Sequence, residues 1–177
     1  MIGPRLSLFL IHVIGGVSVL SSYALWLFAL DADGGALWGG VPPSLQPVYT
    51  VNMFLAAGGY FAFSYLIFFK WPDEPVAGFD VSIFPLIFVS ILFPSTFWLP
   101  LTEAYIRVPS LAMWIAIRLT LFLVGGGSAA LFALILRVPS AGRVWAKRAA
   151  LVGVFFFTLQ TLILDGIIWP LYFPTAH

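Results

Sequence analysis

Uninterrupted apolar stretches, each long enough to cross a bilayer, make up most of this chain. A transmembrane helix needs about 20 consecutive apolar residues, and the stretches of that length run approximately over residues 6–30, 47–69, 81–106, 109–136 and 148–173. The strands of a membrane barrel would alternate polar and apolar residues over about ten positions, and these stretches do not alternate. The pattern therefore predicts an all-α polytopic membrane protein, with residues 1–177 forming a single domain and a single bundle of five transmembrane helices.

The segments between these stretches carry turn residues and most of the positive charges. Glycine, proline and aspartate, which stop helices or form turns, are frequent in DADGGALWGGVPPSLQP, KWPDEPVAGFD, RVP and RVPSAGR. Lysine and arginine concentrate on the cytoplasmic side of membrane proteins. One side of the predicted bundle has only Arg107, and the other has Arg5, Lys70, Arg137, Arg143, Lys147 and Arg148. This asymmetry predicts a cytoplasmic N-terminus and an extracytoplasmic C-terminus.

The composition fits a lipid environment and argues against several functional classes. Of the 177 residues, 62% are hydrophobic and 8% are charged, whereas soluble domains carry about 25% charged residues. A net charge of +1 argues against a nucleic-acid partner, which calls for a strongly basic surface. The chain has no cysteine, and its histidines are His12 and His177. We therefore predict no metal site and no cofactor.

Glycine clusters occur near the midpoints of three predicted helices, at Gly15–Gly16, Gly58–Gly59 and Gly125–Gly127. Small residues allow helices in a membrane to approach closely, and close packing drives their association. The clusters therefore predict a tightly packed layer at mid-depth. The alternative is a hinge in the fourth helix, at GGGSAA.

The third predicted helix contains Pro85, Pro94 and Pro100. Proline removes a backbone hydrogen bond and crowds the preceding turn, so we expect this helix to bend or break. Irregular backbone is tolerated at membrane depth where protein or a water-filled cavity surrounds it. The segment PSTFW therefore either lines a cavity or forms a packing kink without a ligand.

Three charged residues lie inside apolar stretches, where charge is expensive and marks candidate functional sites. Helical rise places Asp165 about 12 Å and Arg118 about 13 Å below the same membrane boundary, with Glu103 about one turn above them. We expect Arg118 to hold Asp165 ionised and to approach Glu103, with Asn52 in the same half of the bilayer. The cluster is a structural clamp, a ligand site or a proton path, and the residues alone do not decide among these.

Tryptophan is frequent, and most of its positions fall near predicted helix ends, where aromatic residues anchor membrane proteins at the interface. Trp98 and Trp169 are also candidate walls of a ligand site, because each stands beside a proline and close to a segment with a carboxylate.

The segments LWGGVPPSLQP, FWLPL and QTLILDGIIWPLYF resemble those of the translocator protein family, also called tryptophan-rich sensory proteins. That family has five membrane helices, a first loop rich in tryptophan and proline, and a helix ending in Gln, Asn, Trp, Pro and an aromatic pair. In the family this pattern belongs to the third helix, whereas here it falls in the fifth and Asp165 replaces the asparagine. The resemblance implies binding of porphyrin- or sterol-like molecules near Gln160, Asp165 and Trp169.

Three functional hypotheses follow. The first is a protein that binds or carries a small amphipathic ligand in a polar pocket within the outer half of the membrane. The second is a non-catalytic subunit or assembly factor of a larger membrane complex, and a homo-oligomer also stays open. The third, ranked lowest, is an enzyme acting on lipid or isoprenoid substrates with Glu103 or Asp165 as general acid or base.

Overall fold

The computed structural model describes residues 3–29, 34–72, 74–76, 78–140 and 142–173. Its helices are α1 (Pro4–Ala29), α2 (Gly34–Trp38), α3 (Gln46–Tyr65), α4 (Ile83–Arg107), α5 (Leu111–Arg137), α6 (Val144–Thr158) and α7 (Trp169–Tyr172). Two π-helical segments continue these helices: Leu66–Lys70 follows α3, and Leu159–Ile168 joins α6 to α7. We call the continuous stretch Val144–Tyr172 the fifth span.

Five helices in the described part of the chain are long and apolar enough to cross a membrane, namely Pro4–Trp26, Gln46–Lys70, Ile83–Arg107, Leu111–Arg137 and Val144–Tyr172. The predicted all-α bundle of five transmembrane helices is therefore confirmed, and the protein is an integral, multi-pass membrane protein. Large apolar side chains face outward, for example Phe54 with 76% of its surface exposed, and these contact the lipid. The orientation of the termini stays a prediction.

Local sequence explains where several helices begin. Ser110 lies in extended backbone just before α5, and its hydroxyl accepts a hydrogen bond from the Met113 amide at 3.3 Å, which caps the helix. Pro47 occupies the first turn of α3. Backbone N–H groups in the first turn have no acceptor within the helix, so proline, which lacks this group, fits there without losing a hydrogen bond. Gly142 adopts φ of +69° in the turn before α6, a conformation that favours glycine.

The helices pack in a fixed order around the bundle: α1 on α4, α4 on α5, α5 on the fifth span, and the fifth span on α3. The helices α1 and α3 also contact each other at His12 of α1. Its Nε2 lies 3.4 Å from the Ser64 hydroxyl, and its ring centre lies 5.6 Å from that of Tyr60. We call the end of the bundle at which α2 lies the α2 end. Toward that end α1 and α3 diverge and leave a gap.

Glycines make the closest helix crossings, as the packing interpretation predicts. A Cβ atom on Gly153 would lie 2.6 Å from the Cα of Gly59, so α3 and α6 meet backbone to backbone. Gly15 faces Leu92, and Gly125 faces Leu162. The other glycine of each predicted pair, Gly16 or Gly58, faces open space. The helix α5 is continuous through its glycines, and the alternative of a hinge stays a prediction.

Of the expected bend or break in the third transmembrane helix, the break does not occur. The helix α4 runs without interruption from Ile83 to Arg107, with Pro94 and Pro100 inside it. Pro85 lies in the first turn, where no backbone donor is needed. Hydroxyl groups after the first internal proline bond to the carbonyls four residues earlier, Ser95 to Ile91 at 2.6 Å and Thr96 to Leu92 at 3.0 Å.

A candidate binding cavity between α1 and α3

A cavity of about 450 Å³ occupies the α2 end of the bundle, in the gap between α1 and α3. Every transmembrane helix contributes to its wall, and α2 covers its end through Leu37 and Trp38. The apolar part of the wall includes Val19, Leu121 and Phe157. Ligand pockets commonly have volumes of about 300–1,000 Å³, with apolar walls and a few polar groups. The volume and lining of this cavity fit that description.

The cavity is partly open and is not enclosed by the protein. Met53 and Ala57 of α3 line it and are also exposed on the outer surface, Met53 with 47% of its area accessible. On the opposite side of the gap the lining comes from Val19, Tyr23 and Trp26 of α1.

The helix α2 forms a roof over the cavity, and hydrogen bonds to the last turn of the fifth span hold it in place. The indole N–H of Trp169 donates to the Leu37 carbonyl at 2.8 Å, and the Gly40 amide donates to the Tyr172 carbonyl at 2.8 Å. Trp38 packs edge-on against the Tyr49 ring at 5.8 Å. The glycine is required at this contact, because a Cβ on Gly40 would lie 2.6 Å from the Tyr172 oxygen.

The polar side of the cavity is built by the π-helical segment Leu159–Ile168. In a π-helix the backbone hydrogen bonds join residues that are five positions apart, whereas in an α-helix they join residues four positions apart. The Gln160 amide nitrogen donates to the Asp165 Oδ1 at 2.8 Å. In an α-helix these side chains would point about 140° apart, so the π-helix is what brings them together. Long π-helical segments are rare, and single-turn examples frequently occur at functional sites.

The helix α3 contributes hydrogen bonds that hold this segment from the other side. The Asn52 amide nitrogen donates to the Gln160 Oε1 at 2.9 Å and to the Phe156 carbonyl at 3.1 Å. The Tyr49 hydroxyl donates to the Leu164 carbonyl at 2.8 Å. A chain of hydrogen bonds therefore runs from Asn52 through Gln160 to Asp165, and it fixes the orientation of the carboxyl group at the cavity wall.

Two polar groups of the cavity lining have unused hydrogen-bonding capacity. The second carboxyl oxygen of Asp165 has no hydrogen-bond partner among the described residues. The buried indole N–H of Trp98 likewise has none. Buried polar groups are nearly always paired, because an unpaired one loses its hydration without compensation. Trp98 stands between the rings of Tyr23 at 6.3 Å and Trp169 at 6.0 Å.

The expected pair between Arg118 and Asp165 is wrong. The guanidinium carbon of Arg118 lies 4.8 Å from the centre of the Phe122 ring, one turn along the same helix. Phe122 is exposed on the lipid-facing surface of α5, whereas the cavity is lined by Leu121 and Val124 of that helix. The depth estimate considered height along the helix axis and not the direction in which the side chain points.

Glu103 also differs from its expected arrangement. It accepts hydrogen bonds from the Trp26 indole at 3.1 Å and from the Arg107 Nε at 2.6 Å, so its cation is Arg107 and not Arg118. The first bond fixes Trp26 of α1 against α4, and Trp26 lines the cavity. Glu103 is therefore placed behind the wall and not in it.

Of the seven candidate residues named from sequence, four line the cavity: Trp98, Gln160, Asp165 and Trp169. Asn52 lies behind Gln160, and neither Glu103 nor Arg118 reaches the lining among the described residues. The sequence interpretation missed Trp26, Trp38 and Tyr49 as wall residues. The sequence places most tryptophans near helix ends, at the membrane interface. The hydrogen bond from Trp26 to Glu103 and the packing of Trp38 on Tyr49 give these two residues a second role.

Comparison of the chain with models of known protein families, with curated proteins and with solved structures gives no match. Inferences about function therefore start from the cavity and its side chains.

Proposed function

We propose that this membrane protein binds a small amphipathic molecule in the cavity between α1 and α3. The observation that carries the proposal is a partly open, mostly apolar cavity whose wall contains a carboxyl group with an unused oxygen. A carboxyl group at membrane depth is expensive to bury and is retained where it has a partner or a role. The apolar wall would accept the body of the ligand, and Asp165 would bind its polar group.

Uptake from the bilayer follows from the position of the opening. An amphipathic molecule concentrates in lipid, and Met53, which lines the cavity, also has 47% of its surface exposed. The ligand would move sideways through the gap between α1 and α3 until its polar group reaches Asp165, without crossing the roof formed by α2.

The resemblance to the translocator protein family supports the same class of ligand and stays a proposal. The residues that carry it, Gln160, Asp165 and Trp169, belong to the cavity wall. A porphyrin- or sterol-like molecule is the ligand that this resemblance implies. The hypotheses of a complex subunit and of an enzyme gain no specific support from the cavity.

A cavity-blocking variant tests the proposal. A neutral probe, a dansyl sulfonamide with a hydroxypentyl chain, would be titrated into the purified protein while energy transfer from tryptophan to dansyl is recorded. Ala57 lies at the opening, so Ala57→Phe should abolish saturable transfer. Ala149→Phe is the matched control, because Ala149 is exposed on α6 outside the cavity. Equal binding by both variants would contradict the proposal.

A further inference from the structure

The carboxyl group in the cavity wall has no cationic side chain to balance it. Asp165 is the only charged residue in the cavity lining among the described residues, and no lysine or arginine joins it there. The two arginines nearest in predicted depth are directed elsewhere, Arg118 over the Phe122 ring and Arg107 to Glu103. The one hydrogen bond to the carboxyl group comes from the neutral amide of Gln160. The electrostatic complement of Asp165 is therefore missing from the described protein.

Aromatic rings surround the same space. Tyr23, Trp26, Trp98 and Trp169 line the cavity together with Asp165. The Trp98 ring is in contact range of two of them, with centroid distances of 6.3 Å to Tyr23 and 6.0 Å to Trp169. The faces of aromatic rings carry partial negative charge and attract cations, and tryptophan does so most strongly.

A carboxylate and several aromatic rings in one desolvated cavity are the groups that recognise an organic ammonium ion. We infer, on the basis of the proposed function, that the ligand is a lipophilic amine whose protonated nitrogen donates to Asp165 among these rings. Its hydrocarbon part lies against the apolar side of the wall, near Met53 and Phe157. An ionised Asp165 repels a ligand with a carboxylate head, and a neutral alcohol donates a hydrogen bond to it without the added attraction between two opposite charges.

Three probes with one skeleton test the ligand class. They are dansyl sulfonamides with a pentyl chain that ends in a primary amine, a hydroxyl or a carboxylate. Each is titrated into the full-length protein in a neutral detergent, with Ala57→Phe as the blank for partition into the micelle. We expect the amine probe to bind wild type about tenfold more tightly than the hydroxyl probe, because an ion pair replaces a hydrogen bond that has a charge on one side only. The carboxylate probe should bind most weakly.

Two substitutions assign the preference to one carboxyl group. Asp165→Asn should bring the amine probe to the affinity of the hydroxyl probe, because the side chain keeps its shape and loses its charge. Glu74→Gln is the matched control and should keep the preference, since Glu74 is exposed in the loop before α4 and does not line the cavity.

The outcomes separate this inference from the proposed function. Binding of the hydroxyl or carboxylate probe to wild type as tightly as the amine probe overturns the amine inference and leaves the cavity as a binding site. A preference for the amine that survives in Asp165→Asn also overturns it. Absence of saturable binding by all three probes overturns the proposed function as well. If Asp165→Asn does not fold, the ranking of the three probes on wild type decides.

Discussion

Gln160 and Asp165 are five residues apart on one helix, and the Gln160 amide nitrogen lies 2.8 Å from the Asp165 carboxyl oxygen. This contact exists because the segment from Leu159 to Ile168 is π-helical. A conventional α-helix would turn the two side chains to different faces. The local change of helix type therefore creates the polar side of the cavity from residues that would otherwise be separated.

Replacing Gln160 with leucine should destabilise the protein, because Asp165 and the second Asn52 hydrogen would lose their partner. Leaving buried polar groups unpaired costs about 1–3 kcal/mol. Thermal unfolding in detergent, followed by circular dichroism, would measure the loss. Thr50→Val is the control, since the exposed Thr50 hydroxyl bonds only within its own helix. Equal melting temperatures for the two variants would show that the chain of hydrogen bonds contributes nothing to stability.

The contact between Gly59 and Gly153 predicts a strong contrast between neighbouring glycines. Gly59→Ala forces its new methyl group against the Gly153 backbone, which has no flexible atoms to move aside. We expect a destabilisation of at least about 2 kcal/mol, in the range of overpacked cores. Gly58→Ala meets nothing within 4 Å and should be neutral or stabilising. Comparable loss in both variants would show that the close crossing is not the cause of the destabilisation.

Arg118 provides a test of the corrected arrangement. If Arg118 held Asp165 in the cavity, Arg118→Leu would remove ligand binding. Because its guanidinium lies over Phe122 on the outer face of α5, we expect this variant to bind the hydroxyl probe within about twofold of wild type. Tryptophan-to-dansyl transfer measures the affinity. A loss of affinity as large as that in Ala57→Phe would support the pairing of Arg118 with Asp165 that the sequence predicted.

The roof contact predicts an effect on ligand release. In Gly40→Ala the added methyl group meets the Tyr172 carbonyl and displaces α2 from the fifth span. We expect a destabilisation of about 1 kcal/mol and faster dissociation of the hydroxyl probe in stopped-flow measurements. Ser44→Ala, at an exposed position in the same loop, should leave the dissociation rate unchanged. Unchanged release in Gly40→Ala would show that α2 does not retain the ligand.

The positions of the membrane helices were predictable because they depend on local composition. The expected second stretch, 47–69, corresponds to Gln46–Lys70, and the expected fifth, 148–173, corresponds to Val144–Tyr172. Hydrophobic length determines these boundaries to within a few residues. The same reasoning identified Asp165 and Trp169 as candidates, because a charge or a proline-flanked tryptophan stands out in an apolar segment.

The direction of side chains was not predictable in the same way. Arg118 has the expected position along its helix and points away from the cavity, since rotation about the helix axis depends on packing with the neighbouring helices. The link between Gln160 and Asp165 depends on a helix type that hydrophobic pattern does not reveal. The role of Trp38 depends on a loop folding back over the bundle, which is a long-range contact.

The gap between α1 and α3 has a thermodynamic consequence. If the ligand enters from the bilayer, as proposed, the site equilibrates with the concentration of ligand in the membrane. For a hydrophobic molecule this concentration far exceeds that in the surrounding buffer. Occupancy of the site should then follow the mole fraction of ligand in the lipid. Adding ligand-free vesicles should therefore lower the occupancy even when the total amount of ligand is constant. Such a protein would report on the content of its own bilayer.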